Sequence, residues 1–105
     1  MVVKFDKEYL QELYTNGRTS NKKYRFQPDI IARYVKVINI MKNMNNVHGL
    51  TQLNNLHYEH LVGDKKGYFS VRVNNQYRIE FIEETLEGQQ IATICNITEL
   101  SNHYK

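Results

Sequence analysis

The sequence predicts an α+β domain in which a short N-terminal strand and two helices pack on one face of an antiparallel sheet. Two changes of pattern carry this. From Leu10 to Met44 apolar residues recur at three- to four-residue spacing, the helical period. After Gly67 the period becomes two, as Phe69, Val71 and Val73 alternate with Tyr68, Ser70 and Arg72. No repeat or low-complexity linker interrupts the 105 residues, which are expected to form a single domain, 1–105, with one modest core.

Each element has a local reason. Val2-Val3-Lys4-Phe5 is short and β-branched and reads as a strand. Asp6 is placed to cap a following helix, with Glu8 in its first turn, Leu10, Leu13 and Tyr14 as its apolar stripe, and Gly17 as its stop. Residues 18–25 carry four positive charges and read as a loop. Pro28 and Asp29 open a second helix, whose buried face runs through Ile30, Ile31, Tyr34, Val35, Ile38, Met41 and Met44, widened by Val37 and Ile40. Arg33, Lys36 and Lys42 lie off that face, and the asparagines from Asn43 end the helix. Leu50, Leu53 and Leu56 suggest a short helical turn over the core. Residues 63–67 form a turn by composition. A last strand is expected at about Gln90 to Ile97.

Composition narrows the function. Apolar residues make up 41% and charged residues 24%, which argues against long disorder. Cys95 is the one cysteine, so an intrachain disulfide and a cysteine zinc site are excluded. With no signal peptide visible, a reducing cytoplasm is expected. No apolar run approaches the ~20 residues that cross a bilayer, so no membrane partner is expected. The net charge of +3 hides a strong asymmetry: residues 13–78 hold eleven Lys/Arg against three acidic residues, whereas residues 79–105 hold one against five. A basic middle suits a polyanion or an acidic protein partner, or is simply a solvated lysine-rich surface.

The register of the central hairpin can be derived. With Asn74-Asn75-Gln76 as a three-residue loop, Val73 faces Tyr77, Val71 faces Ile79 and Phe69 faces Phe81, which pairs apolar with apolar. Arg72 then lies directly opposite Arg78 on the other face. Opposed like charges destabilise a sheet. Either a phosphate lies over the pair, or Glu80, Glu99 or a bulge relieves it.

His57 and His60 flank Tyr58-Glu59 at a spacing that can bind metal on a helix, but there is no third ligand, and neither metal nor cofactor is expected. No Gly-rich phosphate loop, nucleophile elbow or paired-carboxylate motif is present. Arg, Lys, His, Tyr and Asn around one sheet suit RNA cleavage without a metal. There the RNA's own 2′-OH attacks, and the protein supplies a base, cations and an acid.

The segment from Leu61 to Phe81, LVGDKKGYFSVRVNNQYRIEF, resembles the core signature of HigB-type toxins in the RelE/ParE superfamily of type II toxin–antitoxin systems. The ending from Ile94 to Lys105 resembles the tail of one branch of that family, and Tyr24-Arg25-Phe26-Gln27-Pro28 fits as the lead-in to the second helix. The resemblance implies a RelE/ParE-like fold and a ribosome-dependent mRNA endonuclease acting in the decoding site of the 70S ribosome. It also implies a cognate helix-turn-helix antitoxin of HigA type. By position, His57 resembles the histidine before the Gly-Asp turn, Arg78 the strand arginine, and His103 the C-terminal histidine with Tyr104 beside it. Some members carry a lysine where this chain has Val62, so Lys65 or Lys66 stands in from the turn. Some have a shorter spacing from histidine to turn, which leaves His57 and His60 competing for one role.

On this reading Lys22, Lys23, Arg25, His60, Lys65, Lys66 and Arg72 contact RNA, with Arg72 also steadying the scissile phosphate. Arg78, His57, His103 and Tyr104 serve the chemistry. A ParE-like gyrase poison and a non-catalytic ribosome- or RNA-binding module are the alternatives on the same fold.

Overall fold

A computed structural model describes residues 1–102 of the chain. Strand β1 (Val2–Phe5) leads into helix α1 (Glu8–Asn16) and helix α2 (Pro28–Lys42). Two 3₁₀ turns, Val47–Gln52 and Asn54–Leu56, precede β2 (Glu59–His60), and a third, Gly63–Lys65, leads to β3 (Phe69–Arg72). Strands β4 (Tyr77–Glu84) and β5 (Ile94–Asn102) complete one five-stranded sheet of order β1-β5-β4-β3-β2. Neighbours from β2 to β5 are antiparallel, and β1 adds to the β5 edge in parallel.

The helix pattern holds at its centre, while Tyr14, Ile31, Val35, Ile40 and Met44, expected on the apolar faces, are only partly buried at their margins. Ile30, Tyr34, Val37, Ile38 and Met41 are buried from α2, and Tyr9, Leu10 and Leu13 from α1. They meet Val71, Val73, Ile79, Phe81, Ile97 and Leu100 on one sheet face. The Tyr34 hydroxyl, inside this core, donates to the Leu10 carbonyl at 2.8 Å and so stays satisfied. Gly17 ends α1 in the left-handed conformation (φ 74°), and its N–H donates to the Leu13 carbonyl.

Three local expectations are corrected. Asp6 does not cap α1: Lys7 holds the cap position, while the Asp6 N–H bonds the Ile97 carbonyl and ties the chain to β5. Leu53 stays partly exposed between the two 3₁₀ turns, while Leu50 and Leu56 are buried. The last strand runs from Ile94 to Asn102, several residues later than its alternation suggests. Its far half is masked in the sequence by a bulge: Glu80 pairs with Glu99 but Phe81 pairs with Ile97, so Thr98 is an extra residue. Ile97 and Leu100 therefore both reach the core although three residues apart, a spacing foreign to a regular strand.

Candidate active site

Hairpin register builds the site. The pairs are Phe69 with Phe81, Val71 with Ile79, and Arg72 with Arg78, and the Val73 N–H bonds the Tyr77 carbonyl at 2.9 Å across the three-residue loop. Because side chains alternate, burying Val71 and Ile79 sends both arginines to the opposite face. There they border a cleft of about 100 Å³ with His57, Glu59, Ser70 and Tyr77.

The opposed arginines are held from within. Glu80, only 2% exposed, accepts from Arg78 Nε at 3.3 Å and from Ser101 Oγ at 2.7 Å, while its other oxygen lies 3.0 Å from Lys65 Nζ. Burial alone raises the pKa of this carboxyl. The Ser101 hydroxyl, Lys65 and Arg78 outweigh it and hold the group below the ordinary range. The like-charge repulsion is thus relieved by Glu80, and the pair does not by itself demand an external anion. Arg72 is different. It donates to the Asn75 side-chain oxygen and contacts His57 Nε2 at 3.4 Å at the cleft wall, and neither partner is a carboxylate.

His57 follows the second 3₁₀ turn with φ 45° and ψ 54°, the only non-glycine residue in left-handed backbone among the described residues. Such a conformation costs on the order of 1–3 kcal/mol and is kept where surrounding contacts impose it. Its N–H donates to the Asn54 carbonyl, and the ring turns toward Arg72. A guanidinium can only donate, so the contact is a hydrogen bond in the tautomer that leaves Nε2 bare. In that tautomer the ring presents an acceptor nitrogen at the cleft, which is the group that general-base chemistry uses.

The structure separates the two competing histidines. Glu59 and His60 form a two-residue strand paired with Ser70 and Phe69. Glu59 therefore shares the cleft face, while His60 stacks on Phe69 at 4.6 Å between ring centroids, away from the arginines. Of the turn cations, Lys65 is drawn inward to Glu80 and lies over the Tyr68 ring, so it does not reach the cleft; Lys66 is exposed. Lys22, Lys23 and Arg25 are exposed on the loop before α2 and do not line the cleft. That loop is pinned by Tyr24 stacked on Tyr9 and by Phe26 packed edge-on against Tyr77, a wall of the cleft. His103 and Tyr104 lie outside the described residues; the last described residue, Asn102, pairs with Tyr77. No group of three or more His, Cys, Asp or Glu side chains among the described residues can hold a metal ion, and no helix among them is long and apolar enough to cross a membrane.

Glu59 is the cleft residue that sequence reasoning missed, whereas Glu80 takes up the relieving role that the sequence offered it. Glu80 alternates with Ile79 and Phe81 as Arg78 does, and Glu59 follows once β2 is paired to β3.

This architecture is that of a toxin class with solved structures. A YoeB/ParE toxin from Agrobacterium tumefaciens matches with a TM-score of 0.59 at 15% identity, over 99% of this chain and 100% of that one. A YoeB-YefM complex from Staphylococcus aureus gives 0.57 at 13% identity, over 99% and 98%. At these identities the likeness is one of fold. Residues 3–93 match the family described as RelE-like toxin of type II toxin-antitoxin system HigB, and the chain belongs to that HigB-like toxin family. A comparison with curated proteins returns no match.

Proposed function

We propose that this toxin is a ribosome-dependent mRNA endonuclease that cleaves through the RNA 2′-OH without a metal, acting as a single domain, 1–105, in the cytoplasm. The observation that carries the reading is the convergence of His57, Arg72 and Arg78 on one open cleft of the sheet. His57 Nε2 takes the 2′-OH proton, with Glu59 in the same cleft as the alternative acceptor. The 2′-oxygen attacks the adjacent phosphorus, and the 5′-oxygen of the next nucleotide leaves. Arg78, oriented by Glu80, neutralises charge developing on the phosphorane, and Arg72 positions the phosphate. His103, with Tyr104 beside it, is assigned the proton delivered to the leaving oxygen. Lys22, Lys23, Arg25 and Lys66 hold flanking RNA or ribosome.

The small cleft has little surface with which to align RNA for in-line attack, and alignment can supply several kcal/mol. The decoding site of the 70S ribosome supplies it. The solved YoeB-YefM complexes support a protein antitoxin as partner, and a helix-turn-helix protein of HigA type is proposed for this chain.

Mapping transcript 5′ ends after induction tests the reading, together with cleavage of free and ribosome-bound mRNA by the purified toxin. Ribosome-bound mRNA should be cut well, free RNA poorly, and the upstream product should end in a 2′,3′-cyclic phosphate or its 3′-phosphate hydrolysis product. A 3′-hydroxyl would rule out this chemistry. Arrested growth with intact transcripts would point to gyrase or to a binding module.

A further inference from the structure

A second cationic groove adjoins the cleft. Arg33 and Lys36 stand one turn apart on α2, off its buried face. Together with Arg72 they line a narrow space of about 40 Å³ beside Asn55 and Leu56. Among the described residues its lining holds three cations and no carboxylate. Arg72 borders the cleft as well, so one guanidinium is the wall common to both.

Arg33 is not a loose surface cation. Its Nε donates to the Val73 carbonyl at 2.8 Å, which holds the guanidinium against the hairpin. Three like charges around so small a space repel one another, and among the described residues no acidic side chain lines the groove. A single water needs ~10–15 Å³ of such space, so the groove takes the oxygen edge of a phosphate and not a base.

We propose that Arg33, Lys36 and Arg72 form a second phosphate subsite, which binds a backbone phosphate of the same RNA strand whose scissile phosphate lies between Arg72 and Arg78. The identity of the ligand rests on the nuclease reading above. RNA is favoured over an acidic protein segment because the shared Arg72 joins the two grooves into one cationic track, and a phosphodiester backbone presents anions at regular intervals along such a track.

The test uses a fluorescent 2′-O-methyl RNA oligonucleotide, which binds but lacks the attacking hydroxyl. It is titrated at several salt concentrations against the full-length parent, Lys36→Gln and Arg33→Gln. Loss of one phosphate contact should flatten the salt dependence by about 0.7 in log–log slope. Affinity at low salt should fall roughly 2- to 5-fold for each variant. Lys36→Gln is the cleaner probe, because Arg33→Gln also releases the Val73 carbonyl. An unchanged slope in Lys36→Gln, with the parent binding RNA and cutting ribosome-bound mRNA, overturns the subsite and leaves the nuclease reading standing. A flattened slope in a protein that cuts no mRNA supports the subsite and overturns the nuclease reading. Unaltered RNA binding with weakened antitoxin binding assigns the groove to an acidic protein and overturns the proposal. A parent that binds no RNA at any salt concentration overturns the subsite, and the nuclease reading then stands or falls on cleavage of ribosome-bound mRNA.

Discussion

The two faces of the sheet are built by one register and obey opposite rules. On the helix-covered face the cross-strand pairs are Phe69 with Phe81 and Val71 with Ile79, each favourable in itself. On the open face the same register opposes Arg72 to Arg78 and Glu80 to Glu99, each unfavourable in itself. The apolar face decides the pairing and the charged face is carried with it. Stability on the charged face then comes from Arg78 beside Glu80 along β4 and from Lys65 reaching Glu80 from the turn, rather than from directly opposed neighbours. A polar site can be placed on a sheet in this way, provided the other face has enough burial to dictate register.

Two glutamates on β4 sharpen the contrast. Glu80 faces cations and its carboxyl is held low. Glu83, three residues on, has its carboxyl raised by burial, only partly offset by the Tyr58 hydroxyl that donates to it and by nearby His60.

The largest effect expected is on the apolar face. Phe81→Ala should destabilise the protein by about 3–5 kcal/mol, since the ring is fully buried. Denaturant unfolding measures it, and a cost under about 1 kcal/mol would show that this face does not set the register. On the charged face, Arg78→Ala should lower mRNA cleavage roughly 10²–10³-fold, with Arg72→Ala costing less. Here the structure modifies the expectation from charge alone. Removing Arg78 relieves repulsion but also takes a partner from buried Glu80, so a small loss of stability accompanies the catalytic one. A variant cutting at the parental rate would place the site elsewhere.

Next in size is the pair Glu80→Gln and Glu83→Gln, expected to differ in sign. Glu80→Gln should cost about 1–3 kcal/mol at neutral pH, because Lys65 and Arg78 lose their carboxylate. Its stabilisation is complete above the ordinary carboxyl value of 4.5 and fades as pH falls through the lower folded value, so the gap to the parent should close in acid. Glu83, raised on folding, opposes stability once ionised, so Glu83→Gln should be neutral or stabilising at pH 7. Urea titrations of both variants between pH 3 and 7 decide this, and parallel profiles would refute the two-face account. The smallest effect is at Cys95, whose thiol is pushed up to about 12 chiefly by burial. It should resist iodoacetamide until the protein unfolds, as mass spectrometry would read directly.

Much of this was legible in the sequence, for identifiable reasons. The hairpin register followed from apolar alternation, and the opposed arginines followed from the register. The α2 face followed from its spacing, and the HigB-like family from the block around Gly63-Asp64. What escaped was set by contacts distant along the chain. Strand β2 is two residues long, too short to show a period, so Glu59 passed unnoticed and His57 and His60 could not be told apart. The inward turn of Lys65 depends on Glu80, fifteen residues away. The late course of β5 was hidden because Thr98 breaks its alternation, leaving Leu100 out of step with Ile97.

That single inserted residue makes β5 a counter with a carry. Before Thr98 the odd-numbered Cys95 and Ile97 point into the protein, and after it the even-numbered Leu100 does, so Ser101 turns outward to reach Glu80. Deleting Thr98 would remove the extra residue and leave a regular pairing of Ile97, Glu99, Leu100 and Ser101 with Phe81, Glu80, Ile79 and Arg78, so Leu100 should stay in the core and Ser101 on the open face. A one-residue change elsewhere in the strand has no bulge to absorb it and should exchange the two faces downstream.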